Sequence, residues 1–192
     1  MNRAIAIGLG GVFLAGSAWA QDLAGDREAG QALAGQCRTC HGLEGLARIP
    51  IAPNIGGESA SYIARQLTAF RDGTREHEMM SVVASALSDQ QIADLAAWYS
   101  GHVATAELSA DPAGAPDACV GCHGADGIAL IEDAPNLAGE TTIYVDSQLK
   151  AFQRGKRTHE IMTDIAAGMT DEEIRAAAEW YAATGLVIEQ VD

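Results

Sequence analysis

Cys37, Cys40 and His41 stand together in the stretch CRTCHG, and the same residue types return in CVGCHG as Cys119, Cys122 and His123. Two thiols separated by two residues sit on one helical turn and aim at the same edge of a planar ring. A His directly after the second thiol can reach a metal at that ring's centre. This is the attachment pattern of c-type haem, in which the thiols add to two porphyrin vinyl groups and the imidazole ligates iron. The two motifs use all four cysteines of the chain. Taken alone, each cysteine pair could instead close a disulfide, or the two pairs could share one zinc ion. Neither alternative accounts for a His after both pairs.

Iron held by His41 or His123 has a sixth position to fill. The two motifs are 82 positions apart, and sliding the chain along itself by that offset sorts the five Met residues. Met1 lies in the N-terminal leader, Met79 falls on Ile161, and Met169 falls on Leu87; only Met80 and Met162 recur, each 39 residues after its His. They are the candidate axial ligands. Thioether ligation raises a reduction potential relative to a second His and closes the iron to substrate, which suits electron transfer. His77 and His159 also recur, three residues before each Met, and are the rival ligands. Pro53 and Pro135 each follow the His by 12 residues; their carbonyls are assigned as acceptors for the second imidazole N–H, although Pro-Asn is also a common turn pair. Arg75 and Arg157 read either as partners of haem propionates or as solvated charges at helix ends. Trp98-Tyr99 and Trp180-Tyr181 read as core, and His102 as surface.

The 82-residue echo extends well beyond the motifs and without a gap. Pro53-Asn54, Gly57-Glu58, Tyr62, Gln66-Leu67, Arg75 and Trp98-Tyr99 meet Pro135-Asn136, Gly139-Glu140, Tyr144, Gln148-Leu149, Arg157 and Trp180-Tyr181. Two copies of one small domain follow. A unit of about 80 residues has little core for its surface and commonly needs a staple, a metal or a cofactor. In each copy SASYIARQLTAFRDG and TTIYVDSQLKAFQRG space apolar residues three and four apart and end at Gly73 and Gly155, predicting a helix. SDQQIADLAAWYS and TDEEIRAAAEWYA open with capping boxes and predict another, with Gly101 and Gly185 as stops. DREAGQALAGQC predicts a third helix, which has only a short counterpart before Cys119. Residues 101–116 carry Gly, Pro and Ala with little helical periodicity, and the middle of this segment reads as the linker, with the boundary near Asp111. With no convincing strand alternation, the predicted fold class is all-α.

The first 22 residues pair Arg3 with an apolar run from Ala4 to Ala15 and a small-residue site at Ala18-Trp19-Ala20, the layout of a secretory signal peptide. The expected organisation is a leader at 1–20, a haem domain at 21–110 and a second at 111–192, exported to the periplasm. The formal charge of −14 argues against nucleic acid and anionic lipid as partners and for redox proteins with basic docking surfaces. Residues 21–110 hold six Lys and Arg against 11 Asp and Glu, and residues 111–192 hold five against 15. The two haems should therefore differ in potential, because local negative charge favours ferric iron.

On these residues the chain resembles the dihaem class I cytochromes c, in particular the cytochrome c4 family. The matching pieces are the two Cys-His motifs, the PNIGGES and PNLAGET loops, QLTAFRDGTREHEMM and QLKAFQRGKRTHEIM, and the closing Trp-Tyr helices. The resemblance implies two cytochrome c folds about a pseudo-twofold axis. It also implies two covalently bound haem c groups close enough to exchange electrons, and a periplasmic carrier serving a terminal oxidase or similar acceptor, with association to a membrane-bound oxidase. The runner-up is the cytochrome subunit of a periplasmic dehydrogenase, such as a sulfide-oxidising flavocytochrome c. An enzyme such as a dihaem peroxidase or thiosulfate dehydrogenase ranks last. It needs an open iron or an unusual ligand such as Cys, and no cysteine is left over.

Overall fold

The computed structural model describes residues 24–191; the leader expected at 1–20 lies outside them. In the first half, α1 (Arg27–Ala34) leads to a single turn, α2 (Arg38–His41), followed by α3 (Ala60–Arg71), α4 (Met80–Ala84) and α5 (Asp89–Ser100). The second half repeats this as α6 (Asp117–His123), α7 (Thr142–Gln153), α8 (Met162–Ala167) and α9 (Asp171–Ala182). The fold is all-α, two helical units of matching element order related by a pseudo-twofold, with one small addition. The strands β1 (His102–Glu107) and β2 (Gly185–Gln190) pair antiparallel, His102 opposite Gln190 and Glu107 opposite Gly185.

Local chemistry explains most of these boundaries. Both capping boxes form: the Ser88 and Thr170 hydroxyls accept from the N–H of Gln91 and Glu173, whose side chains accept from the capping residues' own N–H. Each cap contributes about 1 kcal/mol. Ser59 and Thr141 cap α3 and α7 through Tyr62 and Tyr144 N–H. Buried Ile63, Leu95, Ala96, Trp98 and Tyr99 with Ala34 form one core, and Val145, Leu149, Phe152, Ile174, Ala177 and Ala178 with Ala166 form the other. Trp98, Tyr99 and Tyr181 are core, as expected, at 2%, 2% and 0% exposure, whereas Trp180 is only half-buried.

Two expectations need correction. No strand was expected, yet the start of the 101–116 segment forms β1, and Gly185, expected to stop α9, opens β2. This pairing joins residues 78 to 88 positions apart, so nothing in the local periodicity announces it. Second, His102 is buried: its Nδ1 lies 2.9 Å from the Trp98 carbonyl and its ring stands edge-on to Trp98. Its repeat partner, the buried Thr184, approaches the Trp180 carbonyl in the same way. The short counterpart of α1, as expected, has a structural consequence. In the first half α1 crosses α5 at Gly30, where an added Cβ would fall 2.0 Å from the Asp94 carbonyl oxygen. In the second half a 3-10 turn at Pro112–Gly114 lies over Trp180 instead.

The halves meet through residues that recur at the 82-residue offset. Asn54 N–H donates to Glu140, and Asn136 N–H to Glu58; the Asn54 and Asn136 side-chain amides donate to the carbonyls of Gly139 and Gly57. Ser59 Oγ and Thr141 Oγ1 donate to the carbonyls of Glu132 and Pro50. Gln66 and Gln148 each receive both guanidiniums, Arg75 and Arg157, at the centre.

Candidate functional site

Each Cys-His motif is one helical turn. Cys37 caps α2 and Cys40 and His41 lie within it, while Cys119, Cys122 and His123 all lie in α6. All four thiols are free, so the disulfide alternative is not formed. No group of three or more His, Cys, Asp or Glu side chains among the described residues is placed to hold a metal ion, so the cysteines do not converge on a joint zinc site. Burial raises the Cys37 and Cys119 thiols above their ordinary values, with Tyr99 and Tyr181 beside them pulling the other way.

The chain turns sharply after each His. Gly42 and Gly124 have φ of 74° and 72°, and a Cβ on either would fall 2.3–2.4 Å from the carbonyl oxygen of Leu46 or Ile128. Only glycine fits this left-handed position, hence the Gly that ends both motifs. The returning loops are tied down by Trp98 and Trp180, whose Nε1–H groups donate to the Leu43 and Ala125 carbonyls, each at 2.8 Å.

That return brings the proline carbonyls where the spacing placed them. His41 Nδ1 lies 2.9 Å from Pro53 O, and His123 Nδ1 lies 2.8 Å from Pro135 O. A carbonyl can only accept, so each Nδ1 carries the proton and the lone pair rests on Nε2, the tautomer a metal requires. Both rings are buried, and burial lowers their pKa against the opposing pull of the proline carbonyls. They are held neutral, as ligation demands.

Met80 and Met162 open α4 and α8 and are partly buried, Met162 against the second core, whereas Met79 is 61% exposed. His77 and His159 lie just ahead of these two helices. Their Nδ1 atoms accept from the backbone N–H of Met80 and Met162 at 3.4 and 3.3 Å, so each imidazole caps the helix that its Met begins. His159 Nε2 also meets Asp133, which Arg65 pairs with from the other half. Arg75 and Arg157 are not solvated charges. They stack on Phe70 and Phe152 with centroid distances of 4.4 and 4.6 Å and bond to Gln66 and Gln148 between the halves.

The residues fit a haem. Two thiols and an Nε2 lone pair converge within one turn in each half. Large apolar side chains that protein leaves exposed lie in the same stretches as the candidate ligands: Leu46, Ile51, Met79 and Val82 in the first half, and Leu130, Ile131 and Ile161 in the second. The polar clamps between the halves, Asn54, Glu58, Gln66 and their repeats, were not assigned a role from sequence. The available signal was their recurrence in a repeat that has otherwise diverged.

Residues 25–98 match the family described as "Cytochrome C oxidase, cbb3-type, subunit III". Cytochrome c4 of Pseudomonas aeruginosa is 33% identical, over 82% of this chain and 88% of its own length. The thiosulfate dehydrogenase electron acceptor of Thiomonas intermedia is 32% identical over 97% of this chain and 93% of its own. Among solved structures, reduced recombinant cytochrome c4 from Pseudomonas stutzeri superposes with a TM-score of 0.73 at 29% identity, covering 83% of this chain and 99% of that one.

Proposed function

Because the chain belongs to the cytochrome c4 family and is a dihaem electron-transfer cytochrome, we propose that it is a periplasmic carrier moving electrons from a dehydrogenase to a terminal oxidase or similar acceptor. One observation carries this reading: each half pairs an oriented His, its Nδ1 held by a proline carbonyl, with a Met at the same sequence offset. We take Cys37, Cys40, Cys119 and Cys122 as the attachment residues, His41 with Met80 and His123 with Met162 as the axial pairs, and the division between Ala110 and Asp111 as the domain boundary.

When bound, each haem supplies a one-electron ferric/ferrous couple. The chain's own residues do the rest. The thiols would fix the ring to one turn of helix, the proline carbonyls hold the imidazole tautomer, and the Met sulfur would favour the reduced form relative to a second His. The clamps between halves hold the two sites in fixed relation. The acidic surface steers towards basic partners, with a rate that falls as salt rises.

No helix among the described residues is long and apolar enough to cross a membrane. A leader ending at Ala20 would deliver the chain to the periplasm, and a membrane-bound oxidase would then meet it at the membrane surface. The donor side is favoured by the relative named as an electron acceptor of thiosulfate dehydrogenase. In that second reading the chain accepts electrons from a sulfur-compound dehydrogenase, as a free acceptor or a bound subunit.

The experiment is turnover with both ends supplied. The purified protein, reduced by a dehydrogenase preparation from the source organism's periplasm, should be reoxidised by that organism's membranes at a rate that drops with ionic strength. Reduction without reoxidation would refute the oxidase end. Stable co-purification with a dehydrogenase would establish the subunit reading in place of the free carrier.

A further inference from the structure

The peptide that orients each axial His is itself held by the opposite half. Pro53 O accepts from His41 at 2.9 Å, and the N–H of the same peptide unit, that of Asn54, donates to Glu140 Oε1 at 2.8 Å. In mirror image, Pro135 O accepts from His123 at 2.8 Å, and Asn136 N–H donates to Glu58 Oε1 and Oε2 at 2.9 and 3.2 Å. Resonance joins the C=O and N–H of one peptide. An ionised acceptor on the N–H pushes electron density onto the carbonyl oxygen, which then draws harder on the imidazole proton. Hydrogen bonds in such a chain strengthen one another, and an outer partner of a ligating His tunes its basicity.

We propose that Glu58 and Glu140 are cross-wired positioning residues: Glu58 sets the donor strength of His123, and Glu140 that of His41, each acting on the iron site of the opposite half. This rests on the reading of both His residues as iron ligands.

Both carboxyls are buried, at 4% and 2% exposure. The ionisable groups around them are each other, Glu132 in the cleft beside Glu58, and Tyr144, which faces Glu140 and is itself faced by Tyr62, Arg75 and Arg157. Burial, opposed by the Asn136 N–H, pushes Glu58 up to about 8. Burial raises Glu140 well above the usual carboxylate range, with the Asn54 N–H pulling down and Glu58 adding to the rise. Glu58 therefore changes charge in mildly alkaline solution, and the imidazole it controls should register the change.

The test uses the full holoprotein labelled with nitrogen-15 histidine, fully reduced so that low-spin ferrous iron is diamagnetic, and compared between about pH 6 and about pH 9. In the unsubstituted protein the His123 Nδ1–H resonance moves downfield as Glu58 ionises. Glu58→Gln keeps an oxygen for Asn136 N–H but cannot ionise. It abolishes the movement at His123, leaves the His41 resonance where it lies in the unsubstituted protein, and at the alkaline pH raises the midpoint of one haem only. Glu140→Gln, read at a single pH, displaces the His41 Nδ1–H resonance and not that of His123, and serves as the test if Glu58→Gln fails to take up haem. The proposal is overturned if a variant affects both imidazoles or neither, if both midpoints rise together as a through-space charge effect requires, or if neither proton of the unsubstituted protein moves. Optical spectra of the same samples separate this from the ligand reading, since the loss of His/Met spectra would instead refute the ligands.

Discussion

Asn54→Ala should loosen the contact between the halves by a predictable amount. The Asn54 side-chain carbonyl accepts from Ala47 N–H at 2.9 Å, its amide donates to Gly139 O at 3.1 Å, and the residue is 9% exposed. The substitution removes both bonds and leaves the backbone bond from Asn54 N–H to Glu140 in place. A made hydrogen bond contributes about 1 kcal/mol net, while a buried group left without a partner costs about 1–3 kcal/mol. Ala47 and Gly139 are only half-buried, so water recovers part of the cost. The expected loss is about 2–4 kcal/mol. At roughly 2–4 °C per kcal/mol for a chain of this size, the melting temperature should fall by roughly 4–16 °C. Unfolding of the holoprotein, by heat and by guanidinium chloride, can be followed through far-ultraviolet circular dichroism and haem absorbance together. Asn136 makes the mirror pair with Ala129 N–H and Gly57 O at 2.9 and 3.1 Å, so Asn136→Ala should cost a similar amount. Because both residues belong to one network, the double variant should cost less than the two singles together. A loss under about 1 kcal/mol for Asn54→Ala, with simple additivity in the double variant, would refute the reasoning.

Gly30→Ala should destabilise by at least about 2 kcal/mol, because its Cβ would strike the Asp94 carbonyl at 2.0 Å and drive α1 off α5, whereas Gly121→Ala meets nothing within 4 Å in α6 and should be neutral or slightly stabilising. Equal melting temperatures for the two variants would contradict the close crossing. The folded state holds Glu58 at about 8 against an ordinary value of 4.5, so the folded chain binds more protons in that window. Stability should fall as pH rises through it, and Glu58→Gln should flatten the slope of denaturation midpoint against pH. The two haems should titrate at different potentials, the lower one in the second half, where 15 acidic side chains face five basic ones against 11 and six in the first. A redox titration fitted by two identical, independent centres would count against this.

The site was more legible in the sequence than the contact that couples its two copies. Haem attachment depends on the local order Cys-x-x-Cys-His, and the capping boxes and helix-ending glycines are equally local, so the motifs, α3, α5, α7 and α9 could be read directly. The proline carbonyls were legible because the repeat preserves their spacing. The β1–β2 pairing was not, since its two strands are brought together only by the arrangement of the halves. His102 misled for a related reason: a lone His after a helix reads as surface until Trp98 is seen packed against it. The clamps formed by Asn54, Glu58, Gln66 and their repeats were visible as recurring letters. Their role was hidden because each bonds across the pseudo-twofold axis, and a register between halves leaves no trace in local periodicity.

The most direct test is near-infrared magnetic circular dichroism of the ferric holoprotein, scaled to haem content from intact mass. The account predicts two covalently attached haems per chain, both low-spin and both showing the sulfur-to-iron charge-transfer band of His/Met ligation. A single attached haem, or bands of bis-His iron that would move the ligand role to His77 and His159, would contradict it.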